Sequence, residues 1–185
     1  MTMTLKSTIR RAIHGLGYDL RQLSPHSNPS FQLLQALRHF EVDLVLDVGA
    51  NAGQFGMGLR EVGYSGRLVS FEPLAEAHAR LTQAARGRDG WQVHPRCAIG
   101  AAAGEIEINV AGNSVSSSIL PMLPAHEQAA TRSSYVGTER VAVAPLDDVV
   151  PQYRRPGDRM FLKIDTQGYE WQVLDGASKT LEGAV

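Results

Sequence analysis

Asp47-Val48-Gly49-Ala50-Asn51-Ala52-Gly53 has the composition of a ligand-binding turn. Asp47 supplies a carboxylate. Gly49 and Gly53 supply backbone freedom and put no side chain in a ligand's way, and Asn51 donates and accepts hydrogen bonds and tolerates left-handed torsions. The near-continuous apolar run Leu44 to Val48 suits a strand covered on both faces. The turn then lies where strand gives way to helix, with backbone N–H groups free to meet a ligand. Its spacing is not the dinucleotide fingerprint, because Asn51 and Gln54 stand where that pattern needs glycines after Gly49. A carboxylate at Asp47 would also repel a pyrophosphate. It suits a phosphate-free cofactor with an ammonium or sulfonium group, and S-adenosylmethionine carries both.

Glu72 closes the next strand-like run, Arg67 to Phe71, and Pro73 follows it. An acid at that place in an open α/β sheet can accept both hydroxyls of an adenosine ribose. A lone Glu after a strand is usually a solvated turn residue, so the ribose reading depends on the glycine turn beside it. The pairing predicts Asp47 and Glu72 on adjacent strand ends. Asp165 closes a third buried run, Met160 to Ile164. It can take the proton of an attacking hydroxyl, bind a cofactor's ammonium, help hold a metal, or cap the next helix.

Lys163 reads either as a side chain reaching out of its strand or as the partner of a neighbouring acid, and Glu170 as a site acid or a carboxylate serving a helix dipole. His126 is a second candidate base, carried by a Ser-, Gly- and Pro-rich stretch from Ala111 to Glu139. Ser116 to Ser118 line the pocket entrance or belong to a solvated loop. Cys97 is expected beside the cofactor as an inert buried residue, since nothing nearby activates its thiol. Tyr169 and Trp171 read as packing residues. His39, His94 and His126 lack ligand spacing and there are no paired cysteines, so no metal is expected.

The elements that must carry these groups follow from periodicity. Asn28-Pro29 reads as a helix start, with Phe31, Leu34, Leu37 and Phe40 on one face. Helices are predicted over Gly53 to Val62, Pro73 to Ala85 and Tyr169 to Leu174. A third strand is predicted at Trp91 to His94, continuing near Ala98-Ile99. Alternation at Glu105 to Val110 and at Arg140 to Ala144 predicts an antiparallel pair. The expected fold class is α/β, a Rossmann-like open mostly parallel sheet with an antiparallel hairpin insertion and its last strands missing after Val185. Residues 1–41 are expected to form helices packing on this core, and 42–185 the domain itself.

Totals narrow the function classes. Of 185 residues, 43% are hydrophobic and 20% charged, which suits one soluble globular domain. Eighteen Lys and Arg against 19 Asp and Glu ask for neither nucleic acid nor an anionic membrane. The single cysteine excludes an internal disulfide and fits a reducing compartment, so a cytoplasmic protein is expected. Met1 to Leu16 reads as an amphipathic helix packing on the domain rather than a secretory signal, and no stretch is apolar enough to span a bilayer. A sheet edge left open by missing strands favours a homo-oligomer.

The segments LVLDVGANAGQFG, VSFEP and FLKIDTQGYEWQVLDGA together resemble the FkbM-type methyltransferase family, and NSVSSSI at Asn113 to Ile119 is similar to its serine-rich segment. The resemblance runs from Val42 to Leu181. It implies a class I, S-adenosylmethionine-dependent methyltransferase, in a family many of whose members methylate hydroxyls on sugars or on polyketide and glycolipid products. The partner it implies is a small-molecule hydroxyl acceptor. One position departs from the pattern. The family usually has Glu-Gly two residues after the aspartate of its lysine-isoleucine-aspartate motif, whereas Asp165 is followed by Thr166-Gln167-Gly168. Gln167 keeps hydrogen bonding but not charge. Gln167 and the early end at Val185 leave a non-catalytic cofactor-binding or interaction protein as the alternative, with a nicotinamide-dependent oxidoreductase a distant third.

Overall fold

The computed structural model of the chain describes residues 9, 12–17, 28–111, 135–182 and 184. Helix α1 spans Pro29–His39 and starts as its sequence predicts: Pro29 sits in the first turn, and Asn28 Oδ1 accepts the N–H of Phe31 at 3.0 Å. Leu34 and Leu37 are buried. Phe40 falls past the last helical residue, where the periodicity no longer applies, and is 51% exposed instead of sharing their face. Of the amphipathic segment near the start, residues 9 and 12–15 are helical, and Ile9 and Leu16 are exposed. The rest of that segment lies outside the described residues.

The parallel sheet consists of β1 (Leu44–Val48), β2 (Arg67–Phe71), β3 (Trp91–Val93) and β7 (Met160–Ile164), in the order β3-β2-β1-β7. Helix α2 (Gln54–Glu61) joins β1 to β2, and α3 (Ala75–Ala85) joins β2 to β3. Every β1 residue is buried because the strand is paired on both edges and covered on both faces. Leu44, Leu46 and Val48 enter a cluster with Phe71, Met160 and Val173, while Val45 faces the other way, toward Leu34, Leu37, Leu59 and Leu81. Full burial of each such side chain contributes about 1.5–3 kcal/mol. Gly56 lets α2 lie close against this sheet: a Cβ there would stand 2.3 Å from the Trp91 ring and 2.8 Å from Leu68 Cδ2.

A second sheet holds β4 (Ala98–Ile99), β5 (Gly104–Ala111) and β6 (Tyr135–Ala144), in the order β4-β6-β5. The expected antiparallel pairing is found, with Glu107 opposite Arg140. Ala98-Ile99 does not prolong β3. The chain leaves the first sheet at His94-Pro95, where proline removes a ladder donor, and Ala98 pairs in parallel with Val143. The antiparallel strands therefore belong to a small mixed sheet of their own, docked on α3 through Leu74, Ala77, Ile108 and Val141. The whole is a mixed α/β fold with parallel and antiparallel elements. The short helices α4 (Leu146–Val149) and α5 (Glu170–Asp175), with a 3-10 turn at Val150–Gln152, close one face of the parallel sheet, and α6 (Ser178–Leu181) is tied to α4 through Asp147.

Candidate active site

Parallel strands bring their C-terminal ends to one edge, so the exits of β1, β2 and β7 lie side by side. The register sets Asp47 opposite Ser70 on β2 and opposite Lys163 on β7. The predicted adjacency of Asp47 and Glu72 follows directly, since Glu72 is the second residue after Ser70.

The β1 turn is held from both sides. Gly49 N and Ala50 N donate to Phe71 O at 3.1 and 3.0 Å, and Asn51 N donates to Glu72 Oε2 at 2.8 Å. Gly49, Asn51 and Gly53 have φ of 74°, 49° and 89°, the left-handed region that glycine and asparagine enter most easily. The space beside Gly49 is taken by β7's exit, because a Cβ there would stand 2.0 Å from the Asp165 carbonyl oxygen. This glycine is required by the chain's own packing, a reason additional to ligand access.

Glu72 is 6% exposed, and its other oxygen accepts the Leu74 N–H at 3.0 Å. Burial raises its carboxyl above the ordinary range, the two N–H donors pull it back, and the nearby Asp47 charge raises it.

Asp47 is fully buried. Lys163 Nζ lies 2.9 Å from its Oδ1, and Ser70 Oγ donates to its Oδ2 at 3.3 Å. Trp91 Nε1 donates in turn to Ser70 Oγ at 3.0 Å. A polar row, buried as far as Asp47 and half-buried at Lys163, therefore crosses all four parallel strands: Trp91, Ser70, Asp47, Lys163. Burial raises the Asp47 carboxyl, Lys163 and Ser70 oppose that, and Asp165 adds to it. The sequence led us to expect a cationic cofactor at this carboxylate; the structure gives it a cation of the chain's own. Lys163 Nζ also donates to Gly49 O at 3.0 Å and lies 3.8 Å from Asp165 Oδ2. Of its two sequence readings, pairing with an acid is the one realised.

Asp165 N donates to Val48 O at 3.0 Å, and its side chain is 57% exposed at the edge. Gln167, in the left-handed region at φ 53°, donates through Nε2 to Asp165 Oδ1 at 3.0 Å. Glu170 shapes this loop by accepting Thr166 N at 3.1 Å, Thr166 Oγ1 at 3.2 Å and Gly168 N at 3.0 Å. Burial raises the Glu170 carboxyl, but these donors outweigh it and hold it below the ordinary range. Glu170 thus serves the loop that carries Asp165.

Cys97 is buried in the cluster that contains Val48 and Phe71, and burial pushes its thiol up to about 11. His126, Asn113 to Ile119 and Ser116 to Ser118 lie outside the described residues. Sequence reasoning missed Ser70, whose role needs the strand register, and His94, whose Nδ1 is 2.7 Å from the Tyr153 hydroxyl at the β3 exit. No local pattern signals either one.

The arrangement fits a cationic adenosine cofactor in two respects. Three acids, Asp47, Glu72 and Asp165, stand at the exits of adjacent strands, with one ammonium, Lys163, 2.9 Å from the first and 3.8 Å from the last. Asn51 Oδ1 is buried with no hydrogen-bond partner among the described residues, an acceptor that a ligand's donor can satisfy. Among the described residues no group of three or more His, Cys, Asp or Glu side chains could hold a metal, and no helix is long and apolar enough to cross a membrane.

The Methyltransferase FkbM domain family matches residues 47–184, most of the chain, and the chain belongs to that family. Membership identifies it as a methyltransferase at family level and implies the use of S-adenosylmethionine. No curated protein and no solved structure matches the chain.

Proposed function

From that membership we propose that the chain is a Rossmann-like, S-adenosylmethionine-dependent O-methyltransferase acting on a hydroxyl of a sugar-bearing or related small metabolite. The observation that carries the reading is the joint between Asn51 and Glu72. It leaves a buried carboxylate together with a carboxamide oxygen that has no hydrogen-bond partner among the described residues, at the sheet edge where such folds bind ligands. The strand order β3-β2-β1-β7 supports it: β3-β2-β1 is the order of one half of a doubly wound sheet, and β7 lies on the far side of β1, where the second half begins.

In this reading Gly49, Asn51 and Gly53 hold the cofactor along the β1 turn, and Glu72 accepts its ribose hydroxyls through the lone pairs that Asn51 and Leu74 leave free. Asp47 acts from within the sheet, fixing the turn through Lys163, and Cys97 gives the pocket an apolar wall. When bound, S-adenosylmethionine supplies a methyl group already activated by its sulfonium. Asp165 stands exposed at the edge, oriented by Gln167, and takes the acceptor's proton at Oδ2. Holding the attacking oxygen in line is the larger part of the work. His126 is the second candidate base. The lone buried cysteine fits a reducing compartment, and the reading places the enzyme in the cytoplasm.

The test is transfer of a labelled methyl group from S-adenosylmethionine to a panel of sugars, glycolipids and polyketide alcohols. Label should arrive on an oxygen, and Asp165→Asn should lower kcat about 10²–10⁴-fold while cofactor affinity stays within about threefold. Label that reaches no hydroxyl in the panel removes the O-methyl assignment.

A further inference from the structure

We propose that Lys163 is a positioning residue for the turn from Asp47 to Gly53: its ammonium balances the buried Asp47 carboxylate and holds the Gly49 carbonyl, and together these set the shape in which the turn receives its cofactor. The inference rests on the turn being the cofactor seat.

The geometry is specific. The ammonium has a carboxylate oxygen at 2.9 Å and a carbonyl at 3.0 Å, both within the chain segment that must stay in place, and the Phe55 ring centroid lies 5.5 Å away. A fully buried carboxylate is costly unless it is paired, and Ser70, a neutral partner at 3.3 Å, cannot neutralise it. Among the described residues the other charged groups that act on Asp47 are acids: Asp165, and Glu72 at the β2 exit. Lys163 is therefore the group that lets this site carry several carboxylates without driving the β1 exit apart. Because it donates to the Gly49 carbonyl as well, the same contact that balances charge also fixes the backbone of the turn. Lys163 contacts the turn at 2.9–3.0 Å and Asp165 Oδ2 only at 3.8 Å, so its loss should act first on cofactor affinity and secondarily, through Asp165, on the proton acceptor.

The experiment compares wild type, Lys163→Met and the double variant Asp47→Asn/Lys163→Met, measuring Kd for S-adenosylmethionine and Tm from pH 4 to 8. In the single variant Asp47 keeps its burial but loses its cation, so its folded-state pKa, already above the unfolded value in the wild type, rises further. Its stability contribution is then full at low pH and is lost as pH rises. Relative to wild type, Tm of Lys163→Met should fall progressively once pH rises past the raised value that Asp47 has in the wild type, below which the two profiles run parallel, and its cofactor affinity should weaken tenfold or more. The double variant, with no charge at either position, should lose that extra pH dependence and regain part of the affinity. A Lys163→Met protein with the wild-type Tm–pH profile and a Kd within twofold of wild type overturns the proposal. If Lys163→Met does not fold at pH 7, a folded double variant supports charge balance, and a double variant that is also unfolded overturns it. A wild type that binds no S-adenosylmethionine defeats the functional assignment separately, and the Tm profiles still decide the role of Lys163.

Discussion

The backbone N–H of Asn51 lies 2.8 Å from Glu72 Oε2, so the carboxylate at the end of β2 fixes the left-handed residue in the turn after β1. Glu72 also accepts the N–H of Leu74, and it is buried. Glu72→Ala leaves two backbone donors without that acceptor, at about 1–3 kcal/mol for each one that water cannot reach. Glu72→Gln keeps one acceptor oxygen and should be the milder change. Urea denaturation of both variants checks the order; equal loss in both would mean that the second oxygen contributes nothing.

Gly49→Ala should be among the most damaging single-methyl additions in the chain. The residue has φ 74°, and a Cβ would stand 2.0 Å from the Asp165 carbonyl oxygen, which is backbone and cannot swing aside. Left-handed strain alone costs on the order of 1–3 kcal/mol, and the overlap adds to it. Gly58→Ala, on α2, meets only the movable Ser30 hydroxyl at 3.0 Å and gains helix preference, so it should stay within about 1 kcal/mol of wild type. Denaturation midpoints of the two variants test the contrast.

Acid should loosen the C-terminal helices before the centre of the sheet. Asp147 accepts Lys179 N at 3.0 Å and Thr180 N at 2.8 Å, which outweigh burial and hold its carboxyl low, as the loop donors do for Glu170. Groups depressed in the folded state contribute stability above their unfolded pKa, and that contribution is lost as pH falls through the folded value. Asp47 and Glu72, both raised, act with the opposite sign and soften the net loss. Hydrogen exchange between pH 5 and 2.5 should show 170–182 opening first. Asp147→Asn should reduce the pH dependence of that opening. Opening of β1 ahead of these helices would contradict it.

Cys97 should resist alkylation. Its thiol is buried and pushed up to about 11, so little thiolate is present at pH 8. Iodoacetamide labelling of the native protein should be at least a hundredfold slower than in 6 M urea, as followed by mass spectrometry. Comparable rates in the two states would show that the thiol is open to solvent.

Much of this architecture was legible because its signals are local. The runs at β1, β2 and β7 are apolar and end at glycine or an acid, and Asn28-Pro29 announces a helix start whose cap is then formed. The alternation at 105–110 and 140–144 revealed an antiparallel pair but not that Ala98-Ile99 joins it, because a two-residue strand carries no period of its own. Helix α4 and the 3-10 turn after it went unread for the same reason: they are short and held by distant partners, such as the Asp147 contacts with Thr180. At the candidate site, the adjacency of Asp47 and Glu72 was legible from their types and positions. The Lys163 ion pair and the Ser70 bridge depend on which residues face each other across strands, and the reason for Gly49 depends on where β7 ends. Those relationships exist only once the sheet is assembled.

The central claim is that the β1 turn and Glu72 form a seat for an adenosine-linked sulfonium. Isothermal calorimetry of the purified chain with S-adenosylmethionine tests it most directly. The account predicts one site per chain with Kd in the micromolar range, weakened at least tenfold in Glu72→Ala under conditions where that variant remains folded. An absence of heat with the wild type, or an unchanged Kd in a folded Glu72→Ala, would contradict it.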